Sequence, residues 1–212
     1  MRAFDPPVEY RRVVSAGKAV VPCLLELLEN GEPVYHLVAF FALGAITNER
    51  FGSAQGFAGE TAEARKIREG AISEWKAWWK ANRGRSRTEW LIEDLSSEYR
   101  QKRDYAAEQL GKSRDKSAAP HLRKILEEDA RNYRAARALA ELGDKAAVPY
   151  LIELYLRHDM AEYRKQGLEL LVQLTGQTFD FDPNGSEQTR EESIKRWETW
   201  WRQNNGRIEN NR

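Results

Sequence analysis

The sequence predicts an all-α chain of helix pairs stacked in series. Three observations carry that prediction. Much of the first third, GKAVVPCLLELLE, AFFALGAITNERF and REGAISEWKAWWKANRG, returns near the end as DKAAVPYLIELYL, LELLVQLTGQTF and REESIKRWETWWRQNNG. Apolar residues recur at helical spacing, glycine and proline fall at punctuation points, and no sustained alternation of the strand kind occurs. Finally, DKSAAP at residues 115–120 recurs as DKAAVP at 144–149. Periods of this size mark stacked repeats, because one helix pair cannot bury its own apolar face.

In chain order, Pro6 and Pro7 open a short helix carrying Val8 to Ser15, which Gly17 stops. From Lys18, the residues Val20, Val21, Leu24, Leu25, Leu27 and Leu28 form one broad stripe, and Asn30-Gly31 ends that helix. Pro33 opens the next. Val34 to Ile46 is apolar almost all round, which predicts a helix sandwiched between neighbours. Phe51 to Gly59 reads as a loop, Thr61 to Lys80 as a helix, and Asn82 to Arg87 as a polar hinge. Two helix pairs follow, Thr88–Ser97 with Glu98–Leu110 and Asp115–Glu128 with Ala130–Leu142, stopped by Gly111 and Gly143. Asp115 and Asp144 are expected caps, and Ala106, Ala107, Ala135, Ala136 and Ala138 let helices approach closely. In the duplicated stretches Pro149 answers to Pro22, Thr175 to Thr47, Phe179 to Phe51, and Trp197, Trp200 and Trp201 to Trp75, Trp78 and Trp79. About eleven helices are expected in one continuous domain over residues 1–212. Duplicated halves 17–84 and 144–206 flank central repeats 86–143.

The segment RAARALAELGDKAAVPYLIELY resembles the HEAT-repeat family, in particular the short bacterial type also seen in phycobilisome-lyase-like repeats. The resemblance covers Ser113 to Gly176 well, extends to Gly17 to Asn48, and is faint over Thr88 to Lys112. It implies a HEAT-like α-solenoid of antiparallel helix pairs. The tryptophan-bearing segments depart from the plain repeat and read as added helices.

The 34 basic and 33 acidic side chains leave a net charge of +1, so no global attraction to nucleic acid or anionic membranes is expected. A single cysteine, Cys23, precludes an internal disulfide and suits a reducing compartment. Met1 to Tyr10 lacks the apolar centre of a secretory signal, and no apolar run reaches the length of a membrane span. These readings point to the cytoplasm, although a mature exported chain would read the same way.

Three features are candidates for chemistry. Trp75, Trp78 and Trp79, and likewise Trp197, Trp200 and Trp201, share helix faces. Burying one indole is worth roughly 4–6 kcal/mol, so each cluster is either core or a partner surface. Asp180, Asp182, Asn184, Ser186 and Glu191 fit the spacing of a calcium loop, whose alternating oxygens wrap a hard cation. Glu187, however, stands where such loops carry an apolar residue, and no second loop pairs with it. The competing reading is a Pro-Asn-Gly turn with Thr189 and Glu192 as a capping box. Arg131, Arg134 and Arg137 step along one helix near Glu127, Glu128, Asp129 and Glu141. They are either phosphate contacts or a salt-bridged face.

His36, His121 and His158 are scattered, and Cys23 lies on an apolar stripe, which predicts a small core residue. No catalytic constellation and no cofactor motif beyond the possible calcium loop is legible. The expectation is therefore a non-enzymatic scaffold or accessory subunit whose partner is another protein. The alternatives are nucleic-acid binding through concave arginines and aromatics, and a bilin-lyase-like enzyme or chaperone, the latter implied by the resemblance.

Overall fold

The computed structural model describes residues 8–209, with side chains through residue 204, and among these there is no strand. The expected role of Pro6 and Pro7 lies outside them. Contacts sort the chain into two compact units, residues 1–90 and 91–212.

Unit 1 holds α1 (Val8–Ala16), a 3-10 turn (Gly17–Val20), α2 (Val21–Asn30), α3 (Pro33–Thr47), α4 (Ala54–Ala58), α5 (Ala62–Asn82) and the first residues of α6 (Arg87–Asp94). Its core sets Val21, Leu24, Leu25 and Leu28 of α2 against Ala39, Leu43 and Ile46 of α3, with Trp75 of α5 closing it. Thr61 caps α5 by accepting from the Ala64 amide at 3.1 Å.

Unit 2 holds the rest of α6 and then α7 (Arg100–Ser113), α8 (Ala119–Glu128) and α9 (Tyr133–Glu141). α10 (Val148–Leu151) continues as a π-helical turn, Ile152–Leu156, before α11 (Ala161–Thr175) and α12 (Glu187–Glu209). α9 lies between α7 and α11, with α8 and α10 behind it. All five small residues singled out for close packing, Ala106, Ala107, Ala135, Ala136 and Ala138, are buried. Asp115 and Asp144 each accept from the amide two residues on, Ser117 and Ala146, at 3.0 Å. Arg123 of α8 donates its Nε to Asp144 at 2.8 Å, tying one helix pair to the cap of the next.

The duplication is preserved to the atom. Thr47 and Thr175 donate to the carbonyls of Leu43 and Leu171 at 2.8 and 2.6 Å. Phe51 meets Trp75 edge-on at 4.8 Å and Phe179 meets Trp197 at 4.7 Å, both with ring planes at 85°. Trp75–Trp78 and Trp197–Trp200 repeat at 6.1 and 6.2 Å. Asn82 and Asn204 donate back to the carbonyls of Trp78 and Trp200 at 2.9 and 2.8 Å.

Several expectations need correction. α3 is not sandwiched: it buries His36, Ala39, Ala42, Leu43, Ile46 and Thr47 but leaves Val34, Tyr35, Val38 and Phe41 about half exposed or more. Cys23 is exposed, because Leu24, Leu25 and Leu28 take the buried side of α2. The loop at Phe51–Gly59 contains α4, whose Phe57 packs on Phe40 at 4.6 Å. Gly111 does not end α7, which runs to Ser113 and turns at Arg114 with φ +60°. The cap before α12 is Ser186, whose hydroxyl accepts from the Thr189 amide at 3.2 Å, so the expected box built on Thr189 is displaced by one turn.

Candidate functional site

The connections inside the helix pairs share one device that sequence reading missed. Arg103, near the start of α7, donates to the carbonyls of Ser97 and Glu98 at 2.7 and 2.9 Å. Arg164, near the start of α11, donates to those of His158 and Asp159, both at 2.6 Å, and to Pro183 at 2.7 Å. Both arginines reach back five and six residues to close the loop before their own helix. In α3 His36 does this alone, its Nε2 donating to Gly31 at 2.9 Å. Buried carbonyls without partners are costly, and a charged donor satisfies several at once. In the α8–α9 connection Asp129 and Asn132 take over, capping the amides of Arg131 and Ala135 at 3.0 and 3.1 Å.

Loops held this way present their side chains in a fixed direction. Among the described residues of unit 2 the exposed large apolar side chains are Tyr99, Tyr133 and Met160. Each stands where the second helix of a pair begins: Tyr99 just before α7, Tyr133 at the head of α9, Met160 just before α11. The three therefore fall on the same edge of successive pairs. The Arg134 guanidinium lies over the Tyr133 ring at 5.3 Å, and the Tyr155 hydroxyl donates to the Tyr133 carbonyl at 3.2 Å. At Met160 the amide donates to His158 Nδ1 at 3.0 Å, and His158 stacks on Tyr163 at 4.2 Å. Beside this edge Arg134 pairs with Asp104 at 3.0 Å, and toward the far end of α9 Arg137 pairs with Glu141 at 2.8 Å. Hydrogen bonding to Lys112 holds the Glu108 carboxyl below its usual range, and bonding to Glu141 raises Arg137.

The residues singled out in the sequence are distributed differently. Trp75 and Trp197 are fully buried, so they are core and closed to a partner. Trp78, Trp79, Trp200 and Trp201 are half-buried at the edges of the same cores. Arg131 is exposed, whereas Arg134 and Arg137 belong to the salt-bridged face just described. In the proposed calcium loop Asp182 accepts from the Asn184 amide at 2.9 Å, and Ser186 caps α12. Asp180 meets Arg196 at 3.3 Å, and Glu191 meets Arg157 at 2.9 Å. Among the described residues no three His, Cys, Asp or Glu side chains come together as a metal would require. An open groove of about 420 Å³ runs between α10 and α12, lined by Pro149, Ile152, Glu153, Glu198, Trp201 and Arg202. Its charges are mixed. No helix among the described residues is long and apolar enough to cross a membrane.

Antiparallel helix pairs, capped by a recurring aspartate and stacked through small residues, span α6 to α11. The same stretch, residues 88–173, matches the family model for HEAT repeats. The chain carries HEAT repeats. It is also similar to deoxyhypusine hydroxylase from Candida albicans, at 40% identity over 68 residues. That match covers 30% of this chain and 21% of the relative, so the chain spans only a small part of that protein.

Proposed function

We propose that this chain is a non-enzymatic protein-interaction scaffold or accessory subunit, and that its partner docks along the loop edge of the HEAT repeats. One observation supports the reading above others: an exposed large side chain stands at the head of the second helix in three successive pairs, Tyr99 and Met160 at the cap and Tyr133 one residue inside. Large apolar side chains scattered singly on a surface carry no message, but three at the heads of successive stacked helices do. Aromatic side chains and methionine are enriched at protein interfaces, because they supply contact area at modest entropic cost. The Arg134–Asp104 pair between α7 and α9 supplies part of the polar rim such an interface needs. HEAT repeats supply a scaffold whose extended face suits protein binding. The activity named for the Candida albicans relative is that protein's, and the short shared stretch gives no reason to transfer it.

The test is capture from the native host with tagged wild-type chain and with the Tyr99→Ala, Tyr133→Ala, Met160→Ala triple variant. We expect a partner retained by the wild type and lost by the variant, with unchanged thermal melting because all three side chains are on the surface. Equal capture by both, or capture of nothing by either, contradicts the reading.

A further inference from the structure

The duplication provides an internal control on what a surface helix of this protein looks like when nothing covers it. α3 and α11 align residue by residue in the register that matches Thr47 with Thr175, whose hydroxyls make the same bond. In that register the buried residues coincide: His36 with Arg164, Ala39 with Gly167, Leu43 with Leu171, Ile46 with Leu174. The outward residues do not. α11 turns Glu162, Lys165, Gln166, Glu169 and Gln173 away from its core, whereas α3 has Val34, Leu37, Val38, Phe41 and Ala45 at those positions. Val34 is 69% exposed, Val38 47% and Phe41 50%, with Tyr35 beside them at 52%. Pro33 to Thr47 contains no Asp, Glu, Lys or Arg. Packing onto unit 1 does not call for an apolar outer face, since α11 manages the same packing with a polar one.

We propose that this face docks a second copy of the chain, α3 against α3, antiparallel about a two-fold axis. Charge argues for a copy of itself. An uncharged stripe meets its own duplicate with no like charges opposed, and antiparallel helices set opposite dipole ends together. The same arrangement brings Glu32, at the start of α3, toward Arg50, just past the end of the other α3. Area argues in the same direction. The four exposed side chains offer on the order of 400 Å² per copy, so a symmetric pair removes about 800 Å² from water before its rim is counted. Leu37 and Ala45, each partly buried at the edge of the stripe, extend it toward the ~1,200 Å² that a specific interface requires. Ridges of this kind interlock along helix grooves without a preformed pocket.

This inference is independent of the loop-edge reading, and its test separates the two. Sedimentation equilibrium of the full chain should show the mass rising from 24.5 kDa toward twice that value with increasing concentration. The midpoint is expected in the micromolar range, roughly 1–100 µM. The variant Val34→Glu, Val38→Gln, Phe41→Glu, which gives α3 the outward residues of α11, should stay at 24.5 kDa throughout. Its helical circular dichroism and melting at monomeric concentration should be unchanged. Phe41→Glu alone should weaken association at least tenfold, and the Tyr99, Tyr133, Met160 triple variant should dimerise like the wild type. A wild-type chain that remains monomeric at ~200 µM overturns the proposal, including the case in which an unlike protein binds this face. Undiminished dimerisation of the α3 variants overturns it as well.

Discussion

Trp197 and Trp75 are the side chains on which each duplicated module closes. Each indole is fully buried against a phenylalanine that meets it edge-on. Trp197→Ala and Trp75→Ala should each cost about 3–5 kcal/mol in urea denaturation, the usual range for emptying a large core site. Gly167 is constrained in the opposite sense, because an added Cβ would run into Tyr155 in the π-helical turn. Gly167→Ala should therefore destabilise, by about 1–3 kcal/mol, although alanine is the better helix former. Tyr155 itself gives a pH signature. Burial pushes its phenol up to about 12, against roughly 10 in an unfolded chain. Between those values the unfolded state releases the proton and the folded state keeps it. Stability is thus unaffected below about pH 10 and falls as pH rises toward 12, by up to about 2–3 kcal/mol. Tyr155→Phe should cost about 1 kcal/mol at pH 7, through the lost bond to Tyr133, and flatten the alkaline fall. Urea melts at pH 7 and pH 11 check both signs; an unchanged alkaline slope in the variant contradicts the assignment.

At the scale of elements, the sequence was most legible where one periodic stripe decided the outcome. α2 and α5 were readable from their apolar spacing, α3 and α5 from their Pro33 and Thr61 starts, and the Asp115 and Asp144 caps from their recurrence. Three kinds of information were hidden. Which side of an almost wholly apolar helix faces water depends on its neighbours, so α3 read as sandwiched and Cys23 as buried. Five residues with Gly56 among them and Gly52 and Gly59 on either side gave too short a window to reveal α4. The arginine clamps were invisible because Arg103 and Arg164 look like any helical surface cation until the loop carbonyls behind them are placed. Arg164→Ala should cost about 2–3 kcal/mol and speed amide exchange at residues 157–160, since three carbonyls lose a charged donor. The calcium candidate belongs to this scale too. With Glu191 held by Arg157, Asp180 by Arg196 and Asp182 by a turn amide, we expect no rise in melting midpoint at millimolar calcium. A rise would mean that the loop rearranges around the ion.

For the whole molecule, the duplication was plain in the sequence, and the atomic agreement of its two copies shows why: the phenylalanine, threonine and tryptophan positions each make one specific contact. Function was less legible. Exposed tyrosine or methionine at a helix start is ordinary in a sequence; the pattern emerges only when Tyr99, Tyr133 and Met160 are set at the heads of three successive stacked helices. The tryptophans attracted attention by their rarity, yet the fold uses them internally. On the proposed function, recognition falls at the loop edge of the HEAT repeats, while the buried aromatics serve stability. Hydrogen exchange on unit 2, free and in complex with a captured partner, tests this most directly. Protection confined to amides around residues 97–103, 129–135 and 157–163 is the predicted result; protection centred on α8 or on the groove between α10 and α12 would contradict it.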